Sequence, residues 1–466
     1  VNKGIKPVMC MCYMTLALGA EKGEPNNYDE YKSTIKAFVQ HYKDMGYTGW
    51  AWESHNEPEG FTNLTPQQTY KMYKYFADGV KDVDNTARVG GFGAVGPDWL
   101  GYINSFLTEY LNDISKPVLD FFSFHQYGKS SWEYVPVIEK AFTDKGLPIP
   151  ELYITEWNSY WGNALGEGNG GLVGGGYDTE INASYVAKKI FDAIGCQNIK
   201  KIYYWNFADH DPNKKFAGGS GLFTVDGHWK ASANTFLFYN KIHSQIVSSQ
   251  FSGVGSEQHN FYGIATKSET DNKMAIILWN FQHIDVAVDI ALNSLPVLPE
   301  GQFYKIEKYA IDNTNGNYYY DFLHGYSGEG IGPHEKVSVI DSFMVQANDV
   351  IHKDSIPAYG VIQYIIEPSS VITEILTCQK EQSDFINVYP TLFDDLINIT
   401  YTSSKNENIC ISIFDINGQQ IENIVPVSRK PGKHSLKFNG SFLKTGIYFV
   451  VYRSDTHMEA IKIFKR

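Results

Sequence analysis

An α/β fold followed by two all-β blocks is predicted by three observations. Residues 1–244 alternate short apolar runs with amphipathic helical patterns six times, residues 245–368 lose the helical pattern and read as strands separated by turns, and a shorter strand-rich block fills 386–466 after a polar linker at 369–385. Strand–helix alternation argues for a parallel sheet covered by helices, open or closed. Polar or aromatic clusters follow several of the strands: Asn56-Glu57, His125-Gln126-Tyr127, Glu156-Trp157-Asn158 and Asn206-Phe207-Ala208-Asp209. Chemistry placed after different strands is what a (β/α)8 TIM barrel offers at its C-terminal face. A closed barrel needs eight units and six are legible. The expectation is therefore a (β/α)8 barrel lacking its first two strand-helix units, with those two upstream of Val1, then a β-sandwich and a small C-terminal all-β domain.

Each element has its own signal. Val8–Met14 opens as a strand, and a helix near Asp29–Met45 places Tyr31, Ile35, Phe38 and Tyr42 on one face. The run Trp50–Glu53 is a short buried strand, ended by Pro58. Thr65-Pro66-Gln67-Gln68 is a capping box with proline at the first helical position. Ala87–Gly91 is the next strand, followed by a helix carrying Trp99, Tyr102, Ile103, Phe106 and Tyr110. Leu119–His125, Leu152–Glu156 and Lys201–Phe207 read as strands. Val135–Lys145, a segment capped by Thr179 with Ile181, Tyr185, Ile190 and Ile194 inward, and Ala231–Ser244 read as helices. Beyond 245, the strand patterns are Met274–Trp279, Val286–Leu292, Tyr304–Ile311, Val337–Ile340, Phe343–Gln346 and Tyr359–Ile366. In the last block Leu396–Tyr401 and Ile409–Asp415 precede Asn417-Gly418, a hairpin turn signal.

Composition excludes several classes. The formal charge is −13 and no basic run stands out, which argues against a nucleic-acid partner. No run is long and apolar enough for a membrane span. Five cysteines imply no disulfide framework, and Cys10-x-Cys12, which shares a strand face, has no further ligand nearby and reads as two small core residues. Neither a metal set nor a cofactor motif is legible. Residues 162–176 hold eight glycines but lack the Lys-Ser/Thr ending of a phosphate loop, so a loop beside the cleft is expected there. Aromatic residues reach 15%, and their flat faces suit both large cores and sugar clefts.

Two carboxylates carry the chemistry. Asn56-Glu57 and Glu156 each end a buried strand, where a carboxyl in a walled cleft can hold or give a proton. A separation near 5 Å would give a retaining glycosidase and about 6.5–9.5 Å an inverting one. In the retaining case ionised Glu156 would attack the anomeric carbon while protonated Glu57 donates to the leaving oxygen. Like-charge repulsion and burial would hold one of the two protonated.

Six motifs in order over about 240 residues resemble glycoside hydrolase family 39, the β-xylosidase and α-L-iduronidase family of the retaining (β/α)8 clan. They are Gly4-Ile5-Lys6-Pro7, His55-Asn56-Glu57-Pro58, Arg88-Val89-Gly90-Gly91, Asp120–Tyr127, Ile154–Asn158 and Tyr204–Asp209, joined by Gly219-Ser220-Gly221-Leu222 with Lys230. The resemblance implies Glu57 as acid/base and Glu156 as nucleophile. It also implies Asn56 on the sugar 2-hydroxyl, His125 bonding the sugar, Tyr127 near the nucleophile and Trp205 as the floor. His55 stands where the family commonly has Trp, and Asp209-His210-Asp211-Pro212 replaces an acidic pair, so His55 and Asp209 bear on which sugar is bound. The expected activity is removal of non-reducing-end glycosides, β-xylosides first. The alternatives are an arabinoside, galactoside or uronic-acid sugar by the same mechanism, or a surface glycan-binding protein without turnover. Val388-Tyr389-Pro390, Phe414–Gly418, Leu443–Tyr448 and the Lys465-Arg466 end resemble type IX secretion sorting domains of Bacteroidetes. That implies a secreted or cell-surface protein that meets the secretion machinery.

Overall fold

The computed structural model describes residues 5–12, 23–60, 62–95, 99–128, 131–159, 176–209, 219–253, 259–293, 295–299, 302–326, 330–345, 350–370, 386–403, 407–415, 420–429, 431–453 and 458–466. The glycine-rich stretch 162–175, linker residues 371–385, His210–Pro212, Cys378 and the Asn417-Gly418 turn lie outside them. The chain divides into two compact units, one of Val1–Pro296 with Lys305–Glu367, the other of Val297–Tyr304 with Pro368–Arg466.

In the first unit, β1 (Val8–Cys10), β2 (Ala51–Glu53), β3 (Arg88–Gly90), β4 (Phe121–Tyr127), β5 (Glu151–Asn158) and β6 (Ile199–Tyr204) form one parallel sheet in sequential order. The helices α1 (Tyr28–Asp44), α2 (Pro66–Val83), α3 (Trp99–Asn112), α4 (Tyr134–Asp144), α5 (Glu180–Ile194) and α6 (Ala231–Asn240) alternate with the strands. A sequential parallel order is that of a barrel wall; a doubly wound sheet reverses its order at a switch point.

Local chemistry sets the boundaries. The Asn27 side chain accepts the Asp29 and Glu30 N–H groups and starts α1, and Thr65 with Gln68 forms the reciprocal box that starts α2. Apolar residues at helical spacing face the sheet in one core: Tyr31, Ile35 and Val39 from α1, Tyr73, Phe76 and Val80 from α2, Ile103 and Phe106 from α3, with Phe122, Ile154 and Trp157 from the strands. Val39 takes the place expected of Phe38, which is exposed, and Ile194 at the end of α5 is exposed rather than inward. Inside the sheet's concave side Ala51, Phe121 and Tyr153 pack together, with Phe121 stacked on Tyr153 at 4.1 Å. Cys10 is exposed on the edge strand β1 with its thiol toward the His55 carbonyl at 3.6 Å, so it is not the core residue its spacing suggested. The four described cysteines are free thiols. β6 stops at Tyr204, short of Phe207, and α6 stops at Asn240, short of Ser244.

The rest of this unit is strand-rich: β7 (Gln245–Val247), β8 (Phe261–Lys267), β9 (Met274–Asn280), β10 (Val286–Leu292), β11 (Gln302–Ile311), β12 (Val339–Val345), β13 (Val350–Ile356) and β14 (Val361–Ser370). They form a six-stranded sheet, β12-β11-β14-β9-β8-β7, and a separate β10–β13 ribbon. Where two strands were expected, β12 runs unbroken, and a short helix α7 (Tyr318–Leu323) interrupts the all-β pattern. Ala183 and Ala187 of α5 and Phe238 of α6 pack on Ile264, Ile277 and Trp279 of β8 and β9. Small residues on the helix let the aromatic side chains of the sheet approach.

The second unit holds β15 (Ile386–Tyr389), β16 (Leu392–Phe393), β17 (Leu396–Ser403), β18 (Glu407–Asp415), β19 (Gln420–Arg429), β20 (Gly432–Asn439), β21 (Gly446–Arg453) and β22 (Met458–Lys465). Two sheets, β15-β17-β20 and β16-β22-β21-β18-β19, bury alternate residues. Ile397, Ile399 and Tyr401 share a core with Ile409, Ile411, Ile413, Val450 and Tyr452.

Candidate active site

Both glutamates sit where polar residues leave the ends of parallel strands. Glu57 follows β2 and takes a left-handed backbone, φ +48°. That conformation is unfavourable for a residue with a Cβ and tends to cluster at functional sites. Its N–H donates to the Gly93 carbonyl beyond β3 at 3.2 Å. His125, on β4, is buried and lies between the carboxylates, with Nδ1 at 2.8 Å from Glu57 Oε1 and 3.5 Å from Glu156 Oε2. The Tyr127 hydroxyl, also on β4, donates to Glu156 Oε2 at 2.5 Å. One ligand atom each from Glu57, His125 and Glu156 lies within 4.8 Å of the others, so the two carboxylates come close to one another beside the His125 ring. Such a trio has the spacing to hold a cation. Two carboxylates flanked by a donor phenol and an imidazole equally make an acid–base pair.

A β-bulge brings Glu156 to His125. Along the β4–β5 ladder Phe124 pairs with Ile154, but His125 pairs with Glu156, leaving Thr155 as an extra residue in β5. The β5–β6 ladder carries a shift over the same segment, from Ile154 to Trp157. Ile154 and Trp157 both lie in the core on the helix side. Thr155 and Glu156 are both less buried, and the Thr155 hydroxyl donates to Glu53 Oε1 of β2 at 2.8 Å. Bulges bend a strand and re-aim its side chains.

The electrostatics follow from crowding acids around one base. Burial raises the Glu156 pKa; the charge of His125 and the Tyr127 hydroxyl pull it back, and the charges of Glu57 and Glu53 push it up. For His125 burial favours the neutral ring, but the bond to Glu57 and the charges of Glu156, Glu53 and Glu57 outweigh it and raise its pKa. The Tyr127 phenol is pushed up by burial and by the charge of Glu156, so it stays a donor. The raised carboxyl is thus Glu156, the expected nucleophile, and a protonated His125 is what favours its ionised form.

Glu57, His125, Glu156, Tyr127 and Trp205 come together, the Trp205 ring lying edge-on to Tyr127 with centroids 6.0 Å apart. Asn56 is half-buried immediately before Glu57. Two expected sugar ligands have other partners. His55 is buried with Nε2 at 3.2 Å from Thr62 Oγ1. That hydroxyl already donates to the Pro58 carbonyl at 3.0 Å, so the ring N–H is the donor to it. Burial pushes the imidazole down to about 4, so His55 braces the turn after Glu57 as a neutral ring. Asp209 pairs with Lys230 at 2.6 Å and accepts the Gly221 N–H at 2.9 Å. Lys230 is fully buried and also meets Asp178 at 2.6 Å and the Gly219 carbonyl at 2.7 Å. Sequence reasoning missed Glu53 and Thr155. A charged residue closing the apolar run Trp50–Trp52 was the available signal for Glu53.

Residues 3–317 match the family described as Glycosyl hydrolases family 39, and residues 387–466 match the Secretion system C-terminal sorting domain. The second match marks an exported protein, secreted or held at the cell surface. A "Beta-xylosidase" of Caldicellulosiruptor saccharolyticus is 27% identical over 291 residues, 53% of this chain and 55% of that protein. One of Geobacillus stearothermophilus is 25% identical over 292 residues, 55% of this chain and 52% of that protein. The chain thus spans about half the length of these curated relatives. Among solved structures, the GH39 enzyme from Xanthomonas axonopodis pv. citri matches with TM-score 0.59 at 17% identity over 75% of each chain. A GH39 β-xylosidase from Caulobacter crescentus matches with TM-score 0.57 at 18% identity over 79% of this chain and 80% of that one. At these identities the likeness is one of fold.

Proposed function

The chain belongs to glycosyl hydrolases family 39, and we propose that it is a retaining glycosidase that removes non-reducing-end β-xylosyl groups. The observation that carries this reading is the facing pair: Glu57 and Glu156 oxygens within 4.8 Å of one another and of the His125 nitrogen they share. Retaining glycosidases hold their carboxyl groups about 5–5.5 Å apart, too close for an intervening water in the first step. The β-xylosidase relatives favour a xyloside.

In the proposed reaction a Glu156 oxygen attacks the anomeric carbon as the glycosidic C–O bond breaks, and Glu57 gives its proton to the departing oxygen. Glu57, now ionised, takes a proton from water as the water oxygen displaces Glu156 from the anomeric carbon, restoring both groups and retaining the configuration. Tyr127 and His125 steady the charge on Glu156 before attack. Asn56 bonds the 2-hydroxyl, and Trp205 walls the sugar site. We assign this chemistry to a barrel domain in 1–244, with an accessory β-sandwich in 245–368 and an export domain in 386–466 after the 369–385 linker.

Early-time NMR of the products from an aryl β-xyloside tests the scheme: the β-anomer of xylose should appear first. Release of the α-anomer would sink the double displacement. Glu156→Gln should lower kcat by about 10⁴ or more while leaving the fold intact; substantial residual turnover would remove Glu156 as nucleophile.

A further inference from the structure

Glu53 is a buried carboxyl inside the sheet with no part in the scheme above. It closes β2, is 3% exposed, and is paired with Cys10 of β1 on one side and Gly90 of β3 on the other. Its carbonyl accepts the Met11 N–H at 2.9 Å. The backbone is therefore fixed from both flanks, and the side chain leaves from a rigid base. A buried carboxyl is kept only where donors meet it. One donor is the Thr155 hydroxyl, 2.8 Å from Oε1. β3 and β4 lie between β2 and β5 in the sheet order, so this bond spans the concave side and follows no ladder.

Thr155 is the residue that the bulge leaves without a partner on β4. On the other flank Ile154 pairs with Ile202 and Trp157 with Tyr204, so β6 meets the extra residue too. In a flat ladder Thr155 would stand beside His125, and Glu156 would turn to the helix side. Reaching that place means an advance of about 3.3 Å along the strand, more than a hydrogen bond can stretch and survive. The bond to Glu53 thus stops Thr155 one step short and leaves the place beside His125 to Glu156. Glu53 is near enough to both groups for its charge to act on His125 and on Glu156.

We propose that Glu53 is a positioning residue for the nucleophile, tying Thr155 across the concave side of the sheet so that the next residue, Glu156, takes the place beside His125. This rests on the reading of Glu156 as nucleophile. Glu53 acts through Thr155, and the hydroxyl of Thr155 is the only part of that side chain the tie uses.

The test uses the full chain and 2,4-dinitrophenyl 2-deoxy-2-fluoro-β-xyloside. A Glu156 oxygen bonds the anomeric carbon as the C–O bond to the aryl group breaks, and dinitrophenolate departs without needing a proton. The fluorine slows hydrolysis of the glycosyl-enzyme, which accumulates. Intact mass reads the labelling rate constant and the final stoichiometry separately, and peptide mapping reads the labelled residue. Thr155→Val keeps the shape and removes the donor. Its labelling rate should fall roughly 10–100-fold, the loss that goes with a hydrogen bond to a charged group, at wild-type stoichiometry. Thr155→Ser restores the donor and should recover most of the rate. Glu53→Met removes the acceptor, and in that background Thr155→Val should cost little more. Hydrogen–deuterium exchange reads the bulge without a sugar: the segment Leu152–Asn158 should exchange faster in Thr155→Val and as wild type in Thr155→Ser.

An unchanged labelling rate in Thr155→Val, with the label on Glu156, overturns this inference alone. So does a full further loss in the Glu53→Met background, unaltered exchange in Thr155→Val, or a lower stoichiometry at an unchanged rate constant, which would mark a purely structural bond. Labelling of wild type at another residue overturns the nucleophile reading and this inference with it. Absence of label in wild type, together with faster exchange in Thr155→Val, would count against the xyloside reading and leave the tie supported.

Discussion

Removing the Tyr127 hydroxyl isolates what a single proton donor does for the nucleophile. Tyr127 donates to Glu156 Oε2 at 2.5 Å, and the acceptor carboxylate is largely buried. A hydrogen bond to a charged group contributes about 1.5–3 kcal/mol, and one pKa unit corresponds to about 1.4 kcal/mol. The hydroxyl therefore holds the Glu156 pKa down, against the burial that raises it. Tyr127→Phe releases that restraint. Glu156 must lose its proton to act, so its raised pKa sets the acid limb of kcat/KM, and the limb should move toward neutral pH. Activity on an aryl β-xyloside should fall about 10–100-fold below the wild-type optimum and recover part of the loss as pH rises. A full pH profile of both proteins provides the measurement. A loss of equal size at every pH would refute the reasoning, because Tyr127 would then act on substrate geometry rather than on the proton affinity of Glu156.

Two further outcomes are expected. Glu57→Gln should nearly stop hydrolysis of xylobiose but spare release of dinitrophenolate, and added azide should yield a β-xylosyl azide detectable by mass and NMR; equal losses on both substrates would remove Glu57 as the acid. Lys230→Met leaves Asp178 and Asp209 buried without their shared cation, which should cost about 3–5 kcal/mol in denaturant unfolding, and adding Asp178→Asn and Asp209→Asn should restore most of that loss.

The strand–helix alternation and both glutamates were legible because buried strands read as short apolar runs and a carboxylate has no packing reason to end one. The helix starts at Asn27, Thr65 and Thr179 follow from caps whose side chains do what their chemistry allows. The direction of His55 was not legible, because position in a motif says nothing of it: its ring turns inward to Thr62 while Glu57 turns toward His125. Asp209 was read as a sugar ligand because its partner Lys230 lies 21 residues downstream and no local pattern joins them. The helix α7 was hidden in a strand-rich stretch, since Tyr318-Tyr319-Tyr320 favours a strand by propensity. Its place is fixed instead by tertiary contacts, with Tyr318 stacked on His228 at 4.0 Å.

The extra residue in β5 makes the active site a matter of counting as well as of chemistry. Without the bulge Thr155 would stand beside His125 and Glu156 would turn toward the helices, whereas loss of Thr155 itself would leave Glu156 next after Ile154 and still beside His125. What such a deletion would remove is the hydroxyl that Thr155 gives to Glu53. Among homologous chains a one-residue gap at the position of Thr155 is therefore compatible with a facing pair of carboxylates.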